Sequence, residues 1–168
     1  MNNIILTGFM GTGKTTVGRR LAARLGRDFY DTDEYIKKCE KMSVYDIMKK
    51  KGGKYFEGAQ RFAVKNLADT DAAVISTGGG TMGDRENHDC LKASGSLIWL
   101  RATAETILKN TTYSKNKRLE LAGAGVEDIK RLLDEKESFY SDCDLAVDVD
   151  DIDVEEICDI IVDFLHKN

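Results

Sequence analysis

Residues 8–15 read Gly8-Phe9-Met10-Gly11-Thr12-Gly13-Lys14-Thr15, the full G-x-x-x-x-G-K-[ST] pattern of a phosphate-binding loop. The apolar run Ile4-Ile5-Leu6 precedes it and a helical pattern follows. No other stretch constrains the fold as much, because such a loop works only between the end of a strand and the first turn of a helix. Its glycines let successive backbone N–H groups turn inward around a phosphate, where a Cβ would obstruct. Lys14 supplies a point charge for the β- and γ-phosphates, Thr15 offers a hydroxyl to Mg²⁺, and the helix presents its positive end to the anion. The pattern implies binding of a nucleoside triphosphate.

Beyond the loop, short apolar β-type runs alternate with helical patterns. Residues 4–7, 28–31, 72–76, 96–100 and 143–149 read as strands. Helical spacing covers 16–25, 33–40, 43–50 with Ser43 as N-cap, 54–68, 84–93, 102–109, 126–140 and 154–166. Strands separated by helices imply an α/β fold, a five-stranded parallel sheet with helices on both faces. Ligands of such sheets bind at the carboxyl ends of the strands. Three motifs fall there: the phosphate loop after the first strand, Asp31-Thr32-Asp33 after the second, and Gly78-Gly79-Gly80 after the third.

At 168 residues and 42% hydrophobic content, the chain suits one domain over 1–168. No apolar stretch approaches the roughly 20 residues of a membrane span, and the first strand runs straight into the glycine loop without a signal-peptide pattern. A cytoplasmic, monomeric protein with no membrane partner is expected. A net charge of −4 provides no basic field for nucleic acid. Cys39, Cys90, Cys143 and Cys158 lie far apart and read as free thiols. His88 and His166 sit in polar helical contexts and read as surface residues.

The three stations, at these separations in so short a chain, resemble the shikimate kinase family of small P-loop kinases. The likeness spans essentially the whole chain. It rests also on residues 43–56, which read like the family's S-I-x-x-I-x-x-x-G-E-x-x-F stretch, and on Lys117-Arg118-Leu119-Glu120-Leu121-Ala122-Gly123, similar to the family's R-P-L-L-x-G lid. The resemblance implies ATP- and Mg²⁺-dependent phosphorylation of one ring hydroxyl of shikimate, a step of aromatic amino-acid synthesis. It further implies a small substrate-binding subdomain at about 33–61 and a mobile lid at about 110–123.

Phosphoryl transfer needs a hydroxyl in line with the γ-phosphate, charge compensation, and a carboxylate that positions the hydroxyl or takes its proton. Two aspartates two residues apart at a strand end can divide that work. By resemblance Asp31 joins Thr15 on the Mg²⁺ side, and Asp33 bonds the acceptor hydroxyl as candidate base. Asp33 equally suits a helix cap. Gly8, Gly11, Thr12, Gly13, Lys14, Thr15 and Thr16 form the expected nucleotide cradle. Gly78, Gly79 and Gly80 are expected to bring backbone amides close to a polyhydroxylated ligand. Arg118 matches the lid arginine, a catalytic and nucleotide-contacting group that stabilises charge on the transferring phosphoryl. Lys109 stands where the family often stacks an arginine on adenine.

The sequence departs from the family pattern at the acceptor. Leu119 and Glu120 replace the lid's proline and leucine. Where the family clamps the shikimate carboxylate between two arginines, this chain has Glu57 and Lys136. Arginine gives a carboxylate a bidentate fork, lysine a point charge, and glutamate repels it. Arg61 lies one helical turn after Glu57, so Glu57 is positioned to turn Arg61 toward the ligand and restore the charge. A kinase of the same fold for an amino-substituted acceptor is the alternative, since Glu57 suits a cation. A nucleotide switch without transfer chemistry is the third reading, and the acceptor-side carboxylate argues against it.

Overall fold

The computed structural model describes residues 2–112, 121 and 123–167. Five strands form one parallel sheet: β1 (Asn3–Thr7), β2 (Phe29–Asp31), β3 (Val74–Ser76), β4 (Gly95–Arg101) and β5 (Leu145–Asp148), in the order β2-β3-β1-β4-β5. Eight α-helices accompany them among the described residues: α1 (Lys14–Leu25), α2 (Thr32–Glu40), α3 (Val44–Lys51), α4 (Gly53–Ala68), α5 (Arg85–Ser94), α6 (Ala104–Thr112), α7 (Val126–Tyr140) and α8 (Val154–Lys167). The α/β architecture is the one expected.

Side-chain alternation along the strands builds two cores. Ile5, Ile75 and Leu97 point to one face, against Val64 and Leu67 of α4, Leu91 of α5, Ile107 of α6 and Ile129 of α7. Ile4, Leu6, Val74, Ile98 and Leu100 point to the other, against Val17 and Leu21 of α1 and Ile157 and Ile161 of α8. All five residues of β1 are buried, as a central parallel strand covered on both faces must be. A third, smaller cluster of Ile36, Ile47 and Ala63 ties α2, α3 and α4 into a helical annex beside the sheet edge. Ser43 caps α3, its hydroxyl accepting from Asp46 N at 3.1 Å.

Two local differences from the sequence reading have clear causes. The third strand starts at Val74 rather than residue 72 because Ala72 adopts a left-handed conformation (φ 55°), and the N–H of Ala73 donates to Asn3 Oδ1 at 2.9 Å. Buried Asn3 also donates to Thr70 O at 2.9 Å, so one side chain fixes the turn that feeds β3. His88 is not a surface residue: it is buried on the inner side of α5 beside Leu91 and Asn87, with Nε2 3.1 Å from Asp142 O and Nδ1 3.3 Å from Asp89 Oδ1. A polar helical context hides this, because the Asp142 carbonyl that meets Nε2 comes from 54 residues along the chain. None of the described helices is long and apolar enough to cross a membrane, and Cys39, Cys90, Cys143 and Cys158 are free thiols.

Candidate active site

The chain crosses from β1 into the phosphate loop at the point where strand order reverses, between β3 and β4, which is where open parallel sheets leave a crevice. Gly8, Gly11 and Gly13 have φ of 139°, 80° and 87°, the left-handed region that lets the loop curl. At Gly8 a Cβ would also lie 2.4 Å from Leu100 O of β4, so the loop's root is seated directly on the sheet. Thr12 braces the loop from within, its hydroxyl donating to Phe9 O at 2.9 Å. Lys14 is buried at the start of α1, and its Nζ donates to Gly8 O and Phe9 O at 2.7 and 2.8 Å. Thr15 and Thr16 follow on the exposed first turn.

Asp31, at the end of β2, holds two jobs. Its Oδ2 accepts from Thr15 Oγ1 at 3.0 Å, and its Oδ1 caps α2 by accepting from Asp33 N and Glu34 N at 3.0 and 3.2 Å. The cap role that the sequence also offered to Asp33 therefore belongs to Asp31. Asp33 sits in the first turn of α2 with its carboxylate against Gly78, where a Cβ would be 2.4 Å from Oδ1. Gly78 N donates to Thr32 Oγ1 at 2.8 Å, so the two stations after β2 and β3 are bonded together. What Gly78 accommodates is the approach of Asp33. Ser76 is the register partner of Asp31, and its buried hydroxyl has no hydrogen-bond partner among the described residues.

On the far side of the glycine run, Tyr140 at the end of α7 donates its hydroxyl to Gly79 O at 2.6 Å. One turn earlier on α7, Lys136 Nζ lies 5.4 Å from the centroid of the Phe9 ring. Lys136 thus lies beside the phosphate loop, and the glycine run joins α7 at Gly79 to Asp33 at Gly78.

A sequence model of the shikimate kinase family matches residues 10–166. The chain belongs to the shikimate kinase family. It is 41% identical over 168 residues to a shikimate kinase of Pelotomaculum thermopropionicum, covering 100% of this chain and 98% of that one. Against a shikimate kinase of Caldanaerobacter subterraneus it is 40% identical over 162 residues, 96% of this chain and 95% of the relative. The structure of an Acinetobacter baumannii shikimate kinase in complex with shikimate superposes with a TM-score of 0.93 at 29% identity, covering 100% of this chain and 94% of that one. Its relatives are small-molecule kinases, and a gluconokinase of Sinorhizobium meliloti, at 18% identity and a TM-score of 0.64, shares the fold alone.

Within the shikimate kinase frame, the expected Glu57–Arg61 pair is not what forms. Arg61 Nε donates to Asp84 Oδ2 at 2.7 Å and lies 3.6 Å from Glu86 Oε2, while Glu57 is exposed and makes no ion pair among the described residues. The physical reason is that Asp84 already stands as the cap of α5, accepting from Glu86 N at 2.9 Å, and offers Arg61 a fixed acceptor that an exposed helix neighbour does not. Lys109 lies exposed near the end of α6. Arg118, Leu119 and Glu120 lie outside the described residues.

Three shaping residues had no strong sequence signal. Asn110 Nδ2 donates to Gly11 O at 2.8 Å and ties α6 to the phosphate loop. Thr32 accepts from Gly78 N, and Tyr140 grips Gly79.

Proposed function

We propose that this protein transfers the γ-phosphoryl group of ATP to a ring hydroxyl of shikimate. The observation that carries the reading is Asp33: a carboxylate lodged against Gly78 in a helix whose cap, Asp31, is itself bonded to Thr15 of the phosphate loop. The donor side and the acceptor side are thereby one rigid turn apart. Asp33 accepts the hydrogen bond of the attacking hydroxyl and takes its proton as the new O–P bond forms and the bond to the β-phosphate oxygen breaks. Lys14 balances charge on the phosphates, joined by Arg118. The helical annex of α2, α3 and the start of α4, residues 33–61, carries the acceptor side.

Thr15 and Asp31 present an all-oxygen donor set of the kind Mg²⁺ takes together with phosphates and water, and the unpartnered Ser76 hydroxyl beside Asp31 fits it. When bound, Mg²⁺ spreads the negative charge of the transferring group. Lys136 holds the acceptor carboxylate as a point charge, with Gly79 and Gly80 turning backbone groups toward the hydroxyls. In this reading the enzyme works as a cytoplasmic monomer on a small-molecule substrate.

Glu57, exposed and without an ion-pair partner among the described residues where the family places an arginine, favours a second reading, an acceptor bearing an amino group. A coupled ATP-consumption assay separates the two. Turnover with shikimate that disappears in Lys14→Ala and Asp33→Asn is expected; turnover only with an amino-substituted cyclitol would move the protein to the second reading.

A further inference from the structure

Tyr140 is 2% exposed and sits in an otherwise apolar cluster, its ring 6.0 Å from Trp99 and 6.3 Å, edge-on, from Phe139. A phenylalanine would fill the same space without bringing a polar atom inside. Burying a hydroxyl is unfavourable unless it is bonded, and this one donates a short bond to Gly79 O. Gly79 lies between two further glycines, so the loop has little stiffness of its own. Its shape comes from what grips it: Thr32 Oγ1 on Gly78 N, the Asp33 carboxylate against Gly78, and Tyr140 on Gly79 O.

The consequence runs in two directions. In a trans peptide the carbonyl and the following N–H point oppositely, so a Gly79 carbonyl aimed at Tyr140 aims the Gly80 N–H away from α7. On α7 itself, Tyr140 and Lys136 are four residues apart and share a face, so anchoring the one sets the other. Next to it, the Phe139 ring covers Gly83 so closely that a Cβ there would be 2.9 Å from Cε2. The last turn of α7 and the segment 78–83 are therefore one packed unit.

We propose that Tyr140 is a positioning residue for the acceptor: its hydroxyl fixes the distance between Lys136 on α7 and Asp33 on α2, through the chain Tyr140, Gly79, Gly78 and Thr32. The inference rests on the acceptor reading given above. It makes the spacing between the carboxylate-holding cation and the hydroxyl-orienting carboxylate depend on the buried bonds of that chain, with Tyr140 as its α7 end.

Tyr140→Phe tests it, since it removes the bond and keeps the ring. The KM for shikimate should rise about five- to twentyfold, the loss of one buried hydrogen bond, while the KM for ATP stays within about twofold. The thermal midpoint should stay near the parent's. In a Lys136→Met background the same change should cost little more, because the residue it positions is gone. Equal rises in both KM values with a large fall in the midpoint, or full additivity with Lys136→Met, would show a packing role and overturn the inference. Hydrogen exchange of the segment 78–83 reads the contact without any acceptor: faster exchange in Tyr140→Phe is expected, and unchanged protection overturns it. A parent that fails to phosphorylate shikimate sinks the acceptor reading instead, and the exchange result still decides the role of the hydroxyl.

Discussion

Arg61 and Asp84 form an ion pair at 2.7 Å that joins the middle of α4 to the cap of α5. Partial burial pulls the Asp84 carboxyl upward, but the bonds from Arg61 and from the Glu86 N–H outweigh it and hold the group below the ordinary carboxylate range. A depressed folded pKa stabilises the fold above the unfolded pKa, and that contribution is lost as pH falls through the folded value. Arg61→Ala should therefore lower the thermal midpoint at neutral pH, with the gap closing on acidification below the usual carboxylate range. The acceptor KM should change by less than about twofold, as expected for a half-exposed guanidinium bound elsewhere. A large KM effect at unchanged midpoint would return Arg61 to the acceptor site.

Asp31 caps α2 and bonds Thr15, whereas Asp33 contacts Gly78. The two neighbours should therefore fail differently. Asp33→Asn should cut kcat on the order of 10² or more with nucleotide affinity intact, the cost of removing a positioned acid–base group. Asp31→Asn should weaken Mg²⁺-dependent nucleotide binding. Titration calorimetry with ATP and Mg²⁺, beside steady-state kinetics, distinguishes them; equal loss of ATP affinity in both variants would merge their roles.

The fold was legible because its signals are local. A glycine loop between a strand and a helix, alternating β and α periods, and Ser43 ahead of α3 each follow from residues close in sequence, and the structure keeps all of them. The site was legible as far as short motifs reach. What escaped depends on partners distant in the chain: Asp84 lies 23 residues from Arg61, Gly79 lies 61 from Tyr140, and Gly11 lies 99 from Asn110. Periodicity says which face a side chain occupies, not which of several distant acceptors it meets. The Glu57–Arg61 pairing failed for that reason: helix spacing made it possible, and a fixed carboxylate from another helix won.

Gly78 offers a backbone route to the same chemistry. A Cβ at this position would stand 2.4 Å from Asp33 Oδ1 and 3.0 Å from Oδ2, so Gly78→Ala must displace the carboxylate. Turnover should fall by about tenfold or more, because misplacing a reacting group by about 1 Å is costly. Nucleotide affinity should hold, since the phosphate loop is untouched. Gly80→Ala is the internal control: nothing lies within 4 Å of a Cβ there, and its effect should be the smaller. Equal kinetics in the two variants would mean that Asp33 is not held by the fit against Gly78.

Asp150, in the turn between β5 and α8, accepts from Thr103 N at 3.0 Å, Thr103 Oγ1 at 2.8 Å and Thr106 Oγ1 at 2.5 Å, and so braces Thr103, which caps α6 by accepting from Thr106 N at 3.3 Å. Because α6 ends in the Asn110 bond to Gly11, this cap also steadies the support of the phosphate loop. Burial pushes the Asp150 carboxyl upward, yet the bonds from Thr106 and Thr103 more than offset it and leave the group below its ordinary value. Its stabilisation is thus complete above the unfolded carboxylate pKa and disappears as pH drops through the lowered folded value. Asp150→Ala should cost about 1 kcal/mol or more at pH 7, the usual net worth of a lost hydrogen bond to a charged acceptor. The deficit should persist at about pH 5 and shrink only once pH falls below the ordinary carboxylate range, as the sign of the shift requires. Urea unfolding of both proteins across this range measures it directly, and a deficit that stays constant or widens in acid would show that the Asp150 charge contributes nothing to the cap.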